Sequence, residues 1–569
     1  MVETTATRAE PMPATCLVAA PDARRVVSPR ASWLLWGRPA TGLERAVSDA
    51  GSVEDAIAGL ASVAQDATAV RLGHDGTVDA LRSVTATRDL YTLETADRFV
   101  VADSFRNALA ELPVGDRRPA HNAVVDHLLF RHPPEPETYV AGIRALEHGT
   151  HLHRDPDGTQ TVEVVDRLDA RGARGGPPVD ALDAALAEGL DGLADATTML
   201  SGGVDSTLVH TYLDEAPSLL MAIDSPEFDF EVEYAREARD VLGVDGETVT
   251  VHEDAFLEAL EASVDALGFP SHYNQTVLTD ATFRRTDEST YVNAEGADSL
   301  YGLAGVKGAR VAAWLSPAFA VPGGERLWRA GPGRAFPAAR VLPDHVRRLH
   351  RDPADPGSFA QRLPFFTDPD LVGRITDPET VRERYARSLR YVTERVHRDA
   401  GRRGFAAQVE LAHLLGYFRH NTVDQWRQLG YVHGHELVAP FKTRRVVDAA
   451  LSMPAERRYV EGLASIRSRS AKYVPKRLLK RRLPGYPVYR EKGAGSLPVE
   501  RYVESGPLSD AFERYDPPAF VPDALRAAHV ESFGPVTWNL LTWAVWRDRV
   551  LQNPAVERVA GTEEHVVER

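Results

Sequence analysis

Cysteine is nearly absent from this sequence, because Cys16 is the only one among 569 residues. A single thiol excludes an internal disulfide and any zinc or iron–sulfur site built from several cysteines. Lysine is also scarce: only six of the 66 lysine and arginine residues are lysines, and five of the six lie between Lys442 and Lys492. In a chain that otherwise uses arginine, this clustering indicates a region where a compact ammonium group is needed.

Long apolar runs and an excess of basic charge are missing as well. No stretch reaches the roughly 18 uninterrupted apolar residues of a membrane helix, and the N-terminal residues do not have the pattern of a secretory signal. We therefore expect a cytoplasmic protein. The net charge of -16 gives no reason to expect nucleic acid or an anionic membrane as partner. The hydrophobic fraction of 43% is that of a globular chain, whose length predicts two or three domains.

Two regions with different patterns divide the chain. Residues 1–170 contain short apolar runs between turn residues, for example at 33–36 and 98–102, which predicts a β-rich domain. The Gly-, Pro- and Arg-rich segment 171–178 predicts a linker. Within 179–569, strands are predicted at 196–200, 218–223, 246–252 and 290–294, and helices at 179–194, 206–215, 231–242 and 253–267. This alternation predicts an α/β domain with a doubly wound parallel sheet, with helical additions at 305–430 and an apolar helix at 536–546.

The most informative segment is Ser201-Gly202-Gly203-Val204-Asp205-Ser206, between a predicted strand and a predicted helix. Two glycines let the backbone approach a ligand closely, and the start of the helix presents unpaired N–H groups to an anion. The segment therefore predicts a phosphate site in which the two serines add hydroxyls and Asp205 holds a magnesium ion. It is not a Walker A loop, because no Gly-Lys-Ser/Thr follows. The alternative is a tight turn in which Asp205 only caps the helix.

This segment resembles the pyrophosphate loop of the N-type ATP pyrophosphatases, which cleave ATP between its α and β phosphates. Residues 293–302 are similar to the Gly-Glu-Gly-Ala-Asp-Glu-Leu-Phe-Gly segment of the asparagine synthetase superfamily, with Ala294 and Ser299 as departures. Residues 438–441 resemble part of that superfamily's Arg-x-Pro-Phe-Leu-Asp segment, but Lys442 and Thr443 replace its Leu-Asp. Residues 472–476, 483–484 and 490–493 resemble its Lys-x-x-Leu-Arg, Leu-Pro and Arg-x-Lys series.

The resemblance implies an enzyme that uses ATP and Mg2+ to adenylate a carboxylate, after which an amine displaces AMP. The ATP-binding residues it implies are Leu200, Ser201, Gly202, Gly203, Asp205, Ser206, Met221, Gly296 and Lys472. Asp205 and Asp298, at the ends of two predicted strands, are expected to hold the metal. Glu295 is expected to take a proton from the amine, and Lys492 to stabilise the charge that develops on pyrophosphate and oxyanion.

Structural roles are the alternatives at several of these positions. Asp298 can act as a helix cap, Glu295 as one partner of an ion pair, and both lysines as exposed surface residues. Leu200 and Met221 are apolar strand residues that would be buried in any case.

The N-terminal region resembles the superfamily's glutaminase domain over 86–91 and 99–109, which implies an α+β sandwich of the Ntn-hydrolase type. Such a domain needs a cysteine directly after Met1, whose free amine activates the thiol, and this chain has Val2. We therefore expect a degenerate glutaminase-like domain without a nucleophile, in which Cys16 is a buried structural residue. The alternative is removal of the first fifteen residues, which would make Cys16 the N-terminus.

Superfamily members with an inactive glutaminase domain include β-lactam synthetases, carbapenam synthetases and lasso peptide cyclases. The lasso peptide cyclases fit best, because β-lactam synthetases carry a tyrosine where this chain has Glu295, and a long insertion between Gly302 and Phe441 leaves room for a larger substrate. The implied partners are a ribosomal precursor peptide as substrate, a leader peptidase and a leader-binding protein. The alternatives are a small-molecule amide ligase of the β-lactam synthetase type, an ammonia-dependent enzyme like asparagine synthetase, and a non-catalytic binding module.

Overall fold

The computed structural model describes residues 14–19, 22–63, 65–95, 98–168, 177–213, 216–302, 321–331, 367, 369–388, 414, 422–453, 472–489, 497–518 and 535–567. The strands of these residues are β1 (Ala14–Ala19), β2 (Arg24–Val27), β3 (Ala31–Arg38), β4 (Asp66–Gly73), β5 (Val78–Arg82), β6 (Tyr91–Glu94), β7 (Arg98–Ala102), β8 (Ile143–Ala145), β9 (Thr150–Arg154), β10 (Gln160–Val164), β11 (Thr197–Met199), β12 (Ser218–Asp224), β13 (Gly246–His252), β14 (Thr290–Val292), β15 (Glu436–Val438) and β16 (Glu563–Val567).

The α-helices of the same residues are α1 (Ala40–Ser48), α2 (Val53–Ala61), α3 (Phe105–Ala110), α4 (Ala123–Phe130), α5 (Pro178–Gly189), α6 (Val204–His210), α7 (Asp229–Leu242), α8 (Phe256–Leu267), α9 (Gln275–Phe283), α10 (Gly324–Ala330), α11 (Pro369–Val372), α12 (Thr422–His433), α13 (Arg444–Leu451), α14 (Tyr473–Arg482), α15 (Val499–Ser505), α16 (Ala511–Arg514) and α17 (Pro535–Trp546). A further helical segment covers 378–388. No helix in this part of the chain is long and apolar enough to cross a membrane.

The chain forms two compact units, of which unit 1 comprises 1–120, 135–167 and 553–569. Its two sheets have the strand orders β16-β1-β7-β6-β8 and β10-β9-β5-β4-β3-β2. Side chains alternate across a strand, so Leu34 faces Leu17 and Phe99 of the other sheet, whereas Leu35 lies on the opposite side under α1 and α2. This arrangement confirms the expected α+β sandwich.

Unit 2 comprises 121–134 and 168–552, so the division differs in two places from the one expected from the sequence. Helix α4 belongs to unit 2, because its apolar side packs with Val372 and Val536 and its Asp126 pairs with Arg384. The C-terminal strand β16 belongs to unit 1, because it pairs with β1. Most of the expected linker 171–178 lies outside the described residues, while Pro178 already begins α5.

Unit 2 contains the predicted doubly wound sheet. Its strand order is β13-β12-β11-β14-β15, and all neighbouring strands are parallel. From the central β11 the chain adds β12 and β13 on one side and β14 and β15 on the other. The direction of winding therefore reverses between β11 and β14, and sheets of this kind bind ligands outside the carboxyl ends of the strands at such a point.

Candidate active site

The Ser-Gly-Gly-x-Asp-Ser segment is the loop between β11 and α6. Leu200 extends β11, since its N–H donates to Leu219 O at 2.8 Å, and Gly203 is the N-cap of α6. The hydroxyls of Ser201 and Ser206 lie 3.1 Å apart. The loop therefore turns directly from strand to helix and carries two neighbouring hydroxyls, as the phosphate site requires.

Gly202 is needed for both its backbone conformation and its lack of a side chain. Its φ is +68°, which L-residues with a side chain rarely adopt. A Cβ at this position would lie 2.1 Å from Tyr234 O in α7. The loop is thus held against the backbone of the neighbouring helix, and a larger residue would displace one of them.

The second part of the site follows β14, the strand on the other side of the switch point. Asn293 Oδ1 accepts a hydrogen bond from the Glu295 N–H at 2.7 Å, and Gly296 has a φ of +99°. Asp298 then begins a π-helical turn that ends at Gly302. Such turns are rare and often occur at functional sites.

Lys472 joins the two strand ends. Its ammonium contacts Asp205 Oδ2 and lies 2.9 Å from Asp298 Oδ1. Burial alone would lower the pKa of Lys472, but the charges of Asp205 and Asp298 outweigh it and hold the pKa above its ordinary value. Gly302 permits this approach, because a Cβ there would lie 2.6 Å from Asp298 Oδ1. Three residues that the sequence predicts as ligand-binding therefore meet at one point.

The donor set at this point fits a magnesium ion. The carboxylates of Asp205 and Asp298 both face the ammonium of Lys472. Mg2+ in nucleotide sites usually takes only one or two carboxylates and fills its shell with phosphate oxygens and water. Among the described residues there is no group of three or more His, Cys, Asp or Glu side chains able to hold a metal.

The other predicted site residues lie around this centre or outside the description. Leu200 is fully buried and packs as a core residue in this structure, whereas Met221 is partly exposed. Glu295 is half-buried, and the order of the strands places it on the same edge of the sheet as Asp205. Lys492 lies outside the described residues.

The two departures from the superfamily's Pro-Phe-Leu-Asp segment have a structural account. Lys442 is buried, and its ammonium donates to Asp424 Oδ1 at 2.7 Å. Thr443 is also buried, and its hydroxyl donates to Pro440 O at 2.7 Å. Both polar side chains are thus satisfied inside the unit, as buried polar groups must be.

Sequence reasoning missed two residues at the site, Gly302 and Tyr486. Tyr486 is buried, and its hydroxyl donates to Gly202 O at 2.6 Å. The Leu-Pro pair at 483–484 marks its neighbourhood, but no local pattern indicates a partner 284 positions earlier.

The loop after β11, the switch point and the paired aspartates define an adenylating domain of the ATP pyrophosphatase type. The asparagine synthase family matches residues 179–531, which is more than half of the chain, and the protein belongs to this family. No curated protein gives a significant match to the chain. The family's chemistry is ATP-dependent amide-bond formation through adenylation, which makes the protein an ATP-dependent ligase.

Proposed function

We propose that this protein closes the macrolactam ring of a ribosomal lasso peptide. A side-chain carboxylate of an Asp or Glu in the peptide attacks the α-phosphate of ATP and releases pyrophosphate. The peptide's own N-terminal amine then attacks the acyl-adenylate, loses a proton and releases AMP. The sum is one amide bond from a carboxylate, an amine and ATP.

The observation that carries the proposal is the state of Cys16. A glutaminase of this superfamily needs a reactive cysteine thiolate. The Cys16 thiol is buried within β1 and donates to Glu564 Oε1 at 3.2 Å. Burial, together with the neighbouring Glu564 carboxylate, raises the pKa of Cys16 to about 12. The chain's single thiol is therefore a poor nucleophile, and we infer that the amine comes from the substrate and not from glutamine.

In this proposal the residues at the switch point bind the phosphates of ATP. The Gly203 N–H and the hydroxyls of Ser201 and Ser206 donate to phosphate oxygens. Asp205 and Asp298 would hold Mg2+, which supplies positive charge to the phosphates when bound. Lys472 then exchanges part of its contact with these carboxylates for a contact with phosphate.

The acid–base step is proposed for the segment after β14. Glu295 accepts the proton of the attacking amine, a task that a carboxylate placed beside the reacting group can perform as a general base. Lys492 is proposed to stabilise the charge on the leaving groups. Both roles rest on the superfamily motifs that these residues match.

A peptide with both reacting groups fits these features best. Joining an amine and a carboxylate of one molecule replaces a second substrate site by a high effective concentration. This step rests on analogy with superfamily members that keep an inactive glutaminase domain, and on Glu295 where β-lactam synthetases carry tyrosine. A leader peptidase and a leader-binding protein would deliver the precursor peptide.

The test is product analysis with the purified protein, ATP and Mg2+. The leader-free core peptide of a neighbouring precursor gene should lose the mass of one water, and fragmentation should locate the bond between residue 1 and an Asp or Glu side chain. Free aspartate with ammonia, and small amino carboxylates, are offered in parallel. If asparagine forms and the peptide does not react, the protein is an ammonia-dependent enzyme like asparagine synthetase. Ring closure of a small amino acid would favour an amide ligase of the β-lactam synthetase type.

A further inference from the structure

Tyr486 contacts the phosphate loop through two hydrogen bonds. Its phenol donates to Gly202 O at 2.6 Å and accepts from Thr207 Oγ1 at 3.1 Å. Both the donor and an acceptor site of the hydroxyl are therefore in use. The ring is buried, with 4% of its surface exposed. Thr207, in the first turn of α6, is fully buried, so the bridge joins the loop to its helix inside the unit.

The Gly202 carbonyl belongs to the peptide group that joins the two glycines of the loop. In a trans peptide the C=O and the N–H point in opposite directions. Tyr486 holds the carbonyl on one side, so the Gly203 N–H points to the other, where Ser201 Oγ lies at 3.4 Å. Ser201 Oγ is also the neighbour of Ser206 Oγ. The Gly203 N–H and the two hydroxyls thus lie together on the side of the loop opposite to Tyr486.

A peptide between two glycines is the easiest kind to rotate, because neither residue has a Cβ that restricts its torsions. A rotated peptide would present the negative end of its dipole, the carbonyl, to the phosphates. The loop therefore needs contacts that select one orientation, and the hydrogen bond from Tyr486 to Gly202 O is such a contact.

We propose that Tyr486 is a positioning residue for ATP: it fixes the Gly202–Gly203 peptide so that the Gly203 N–H faces the phosphates. The proposal rests on the ATP-dependent function proposed above. Tyr486 acts through the loop and touches no reacting atom in this account. Its effect belongs to nucleotide affinity, and the rate of the chemical step stays nearly unchanged.

The experiment measures the Kd of the full-length protein for ATP with Mg2+ by calorimetry, and kcat and KM for ATP in pyrophosphate exchange. Tyr486→Phe removes only the phenolic oxygen. We expect the Kd and KM for ATP to rise about 5- to 20-fold, the value of one well-placed hydrogen bond, with kcat within about twofold of the wild type.

Tyr515→Phe is the matched control. Tyr515 is also 4% exposed, and its hydroxyl donates to Glu261 Oε1 at 2.7 Å. Tyr515 lies in the same unit, and its hydrogen bond to Glu261 does not involve the 201–206 loop. Its loss should lower the melting temperature by a similar amount while leaving the Kd for ATP unchanged, which separates positioning from general stability.

Gly203→Pro is a second, independent variant. The φ of Gly203 is -71°, a value that proline adopts, so the substitution removes the N–H while keeping φ at this position within proline's range. It should weaken ATP binding at least as much as Tyr486→Phe. The loss of ATP affinity in the double variant should be smaller than the product of the losses in the two single variants.

The outcomes separate the two proposals. If the wild type binds ATP and a folded Tyr486→Phe variant has a Kd for ATP within twofold of the wild-type value, the positioning role is contradicted and the proposed function is not. If Tyr486→Phe does not fold, an unchanged Kd in Gly203→Pro contradicts it instead. A wild type that binds no ATP at all overturns the proposed function, and the positioning role falls with it.

Discussion

Lys472 is the residue on which the active-site interpretation depends most. Its backbone has a φ of +59°, uncommon for a residue with a side chain, and it directly precedes α14. This conformation sends the ammonium to Asp205 and Asp298. The position of the charge is therefore fixed by backbone as well as side chain, which is typical of strained residues at functional sites.

Replacing this ammonium should abolish most of the activity. Lys472→Met leaves two facing carboxylates without this ammonium and removes the proposed phosphate contact, so we expect pyrophosphate exchange to fall by about 10²-fold or more. Lys480→Met, an exposed position on the same helix, should leave the rate unchanged. An exchange rate of Lys472→Met within threefold of the wild type would show that the lysine has only a structural role.

At the residue scale, the sequence motifs point to Asp205, Asp298 and Lys472, which the structure brings together, but they do not show how the three are joined. Asp205 lies within the 201–206 motif and Asp298 within the 293–302 segment, so both were predictable. Their common partner Lys472 lies 267 positions after Asp205, and no local pattern encodes such a contact. Two signals pointed to this region, the clustering of the few lysines and the resemblance of 472–476 to the superfamily's Lys-x-x-Leu-Arg segment.

The strand–loop–helix element at Gly202 leads to a second prediction. Gly202→Ala should lower the affinity for ATP by more than tenfold, because its Cβ would collide with the backbone of α7 and shift the loop. The control is Gly243→Ala, whose φ of +70° is nearly the same but whose surroundings are open. It should cost only about 1 kcal/mol of stability and leave ATP binding intact, and equal ATP affinities in both variants would contradict the steric argument.

Three strands of unit 1 share a charged ladder around Asp79. This carboxylate is 1% exposed and accepts hydrogen bonds from Arg71 at 2.8 Å, His151 at 3.0 Å and His153 at 2.7 Å. Burial alone would raise the pKa of Asp79, but the bonds from the histidines and the arginine outweigh it and lower the pKa to about 2. The bond to Asp79 raises the pKa of His153.

The ladder predicts a pH-dependent stability of β5 and β9. Asp79 stabilises the fold above its ordinary pKa of 3.8, and this stability is lost as the pH falls towards 2. His153 contributes below its ordinary pKa of 6.5 and loses its contribution as the pH rises through its raised value. Asp79→Asn should therefore lower the free energy of unfolding most between pH 3.8 and pH 6.5, by about 2–3 kcal/mol. Hydrogen exchange of the amides in β5 and β9 measures this loss. A cost independent of pH from 3 to 8 would contradict this account.

At the element scale, the strands and helices of the central α/β region were the most predictable part. All four predicted strands of unit 2 are present as β11 to β14, because short apolar runs alternate with helical patterns there. Helix α9 was not predicted, since all of its residues except Gln275 are buried and the usual contrast between an apolar and a polar face is missing. The predicted apolar helix at 536–546 corresponds to α17.

At the scale of the whole molecule, the first and last strands of the described chain lie side by side. β16 pairs antiparallel with β1, with Cys16 opposite Val566. The sequence of β16 is short and charged, and its partner lies more than 500 positions away, so neither the strand nor its place in unit 1 was predicted. Contacts of such separation are set by tertiary packing and leave no local signature.

This pairing predicts an unreactive thiol. Burial and the neighbouring Glu564 raise the pKa of Cys16 to about 12, so the thiol is almost entirely un-ionised at pH 8. Alkylation by iodoacetamide should therefore be at least 100-fold slower in the folded protein than in urea. Truncation after Thr562 removes β16 and Glu564, and should accelerate the reaction. Alkylation of the folded wild type at the rate of the unfolded chain would remove the argument against a glutaminase.

The central claim, that the point between β11 and β14 adenylates a carboxylate, is tested most directly by ATP–pyrophosphate exchange. The wild type should exchange label only when Mg2+ and the correct carboxylate substrate are both present, and should form AMP. Asp205→Asn and Asp298→Asn should each lose this exchange while remaining folded. Formation of ADP and phosphate, or full exchange in both variants, would contradict the account.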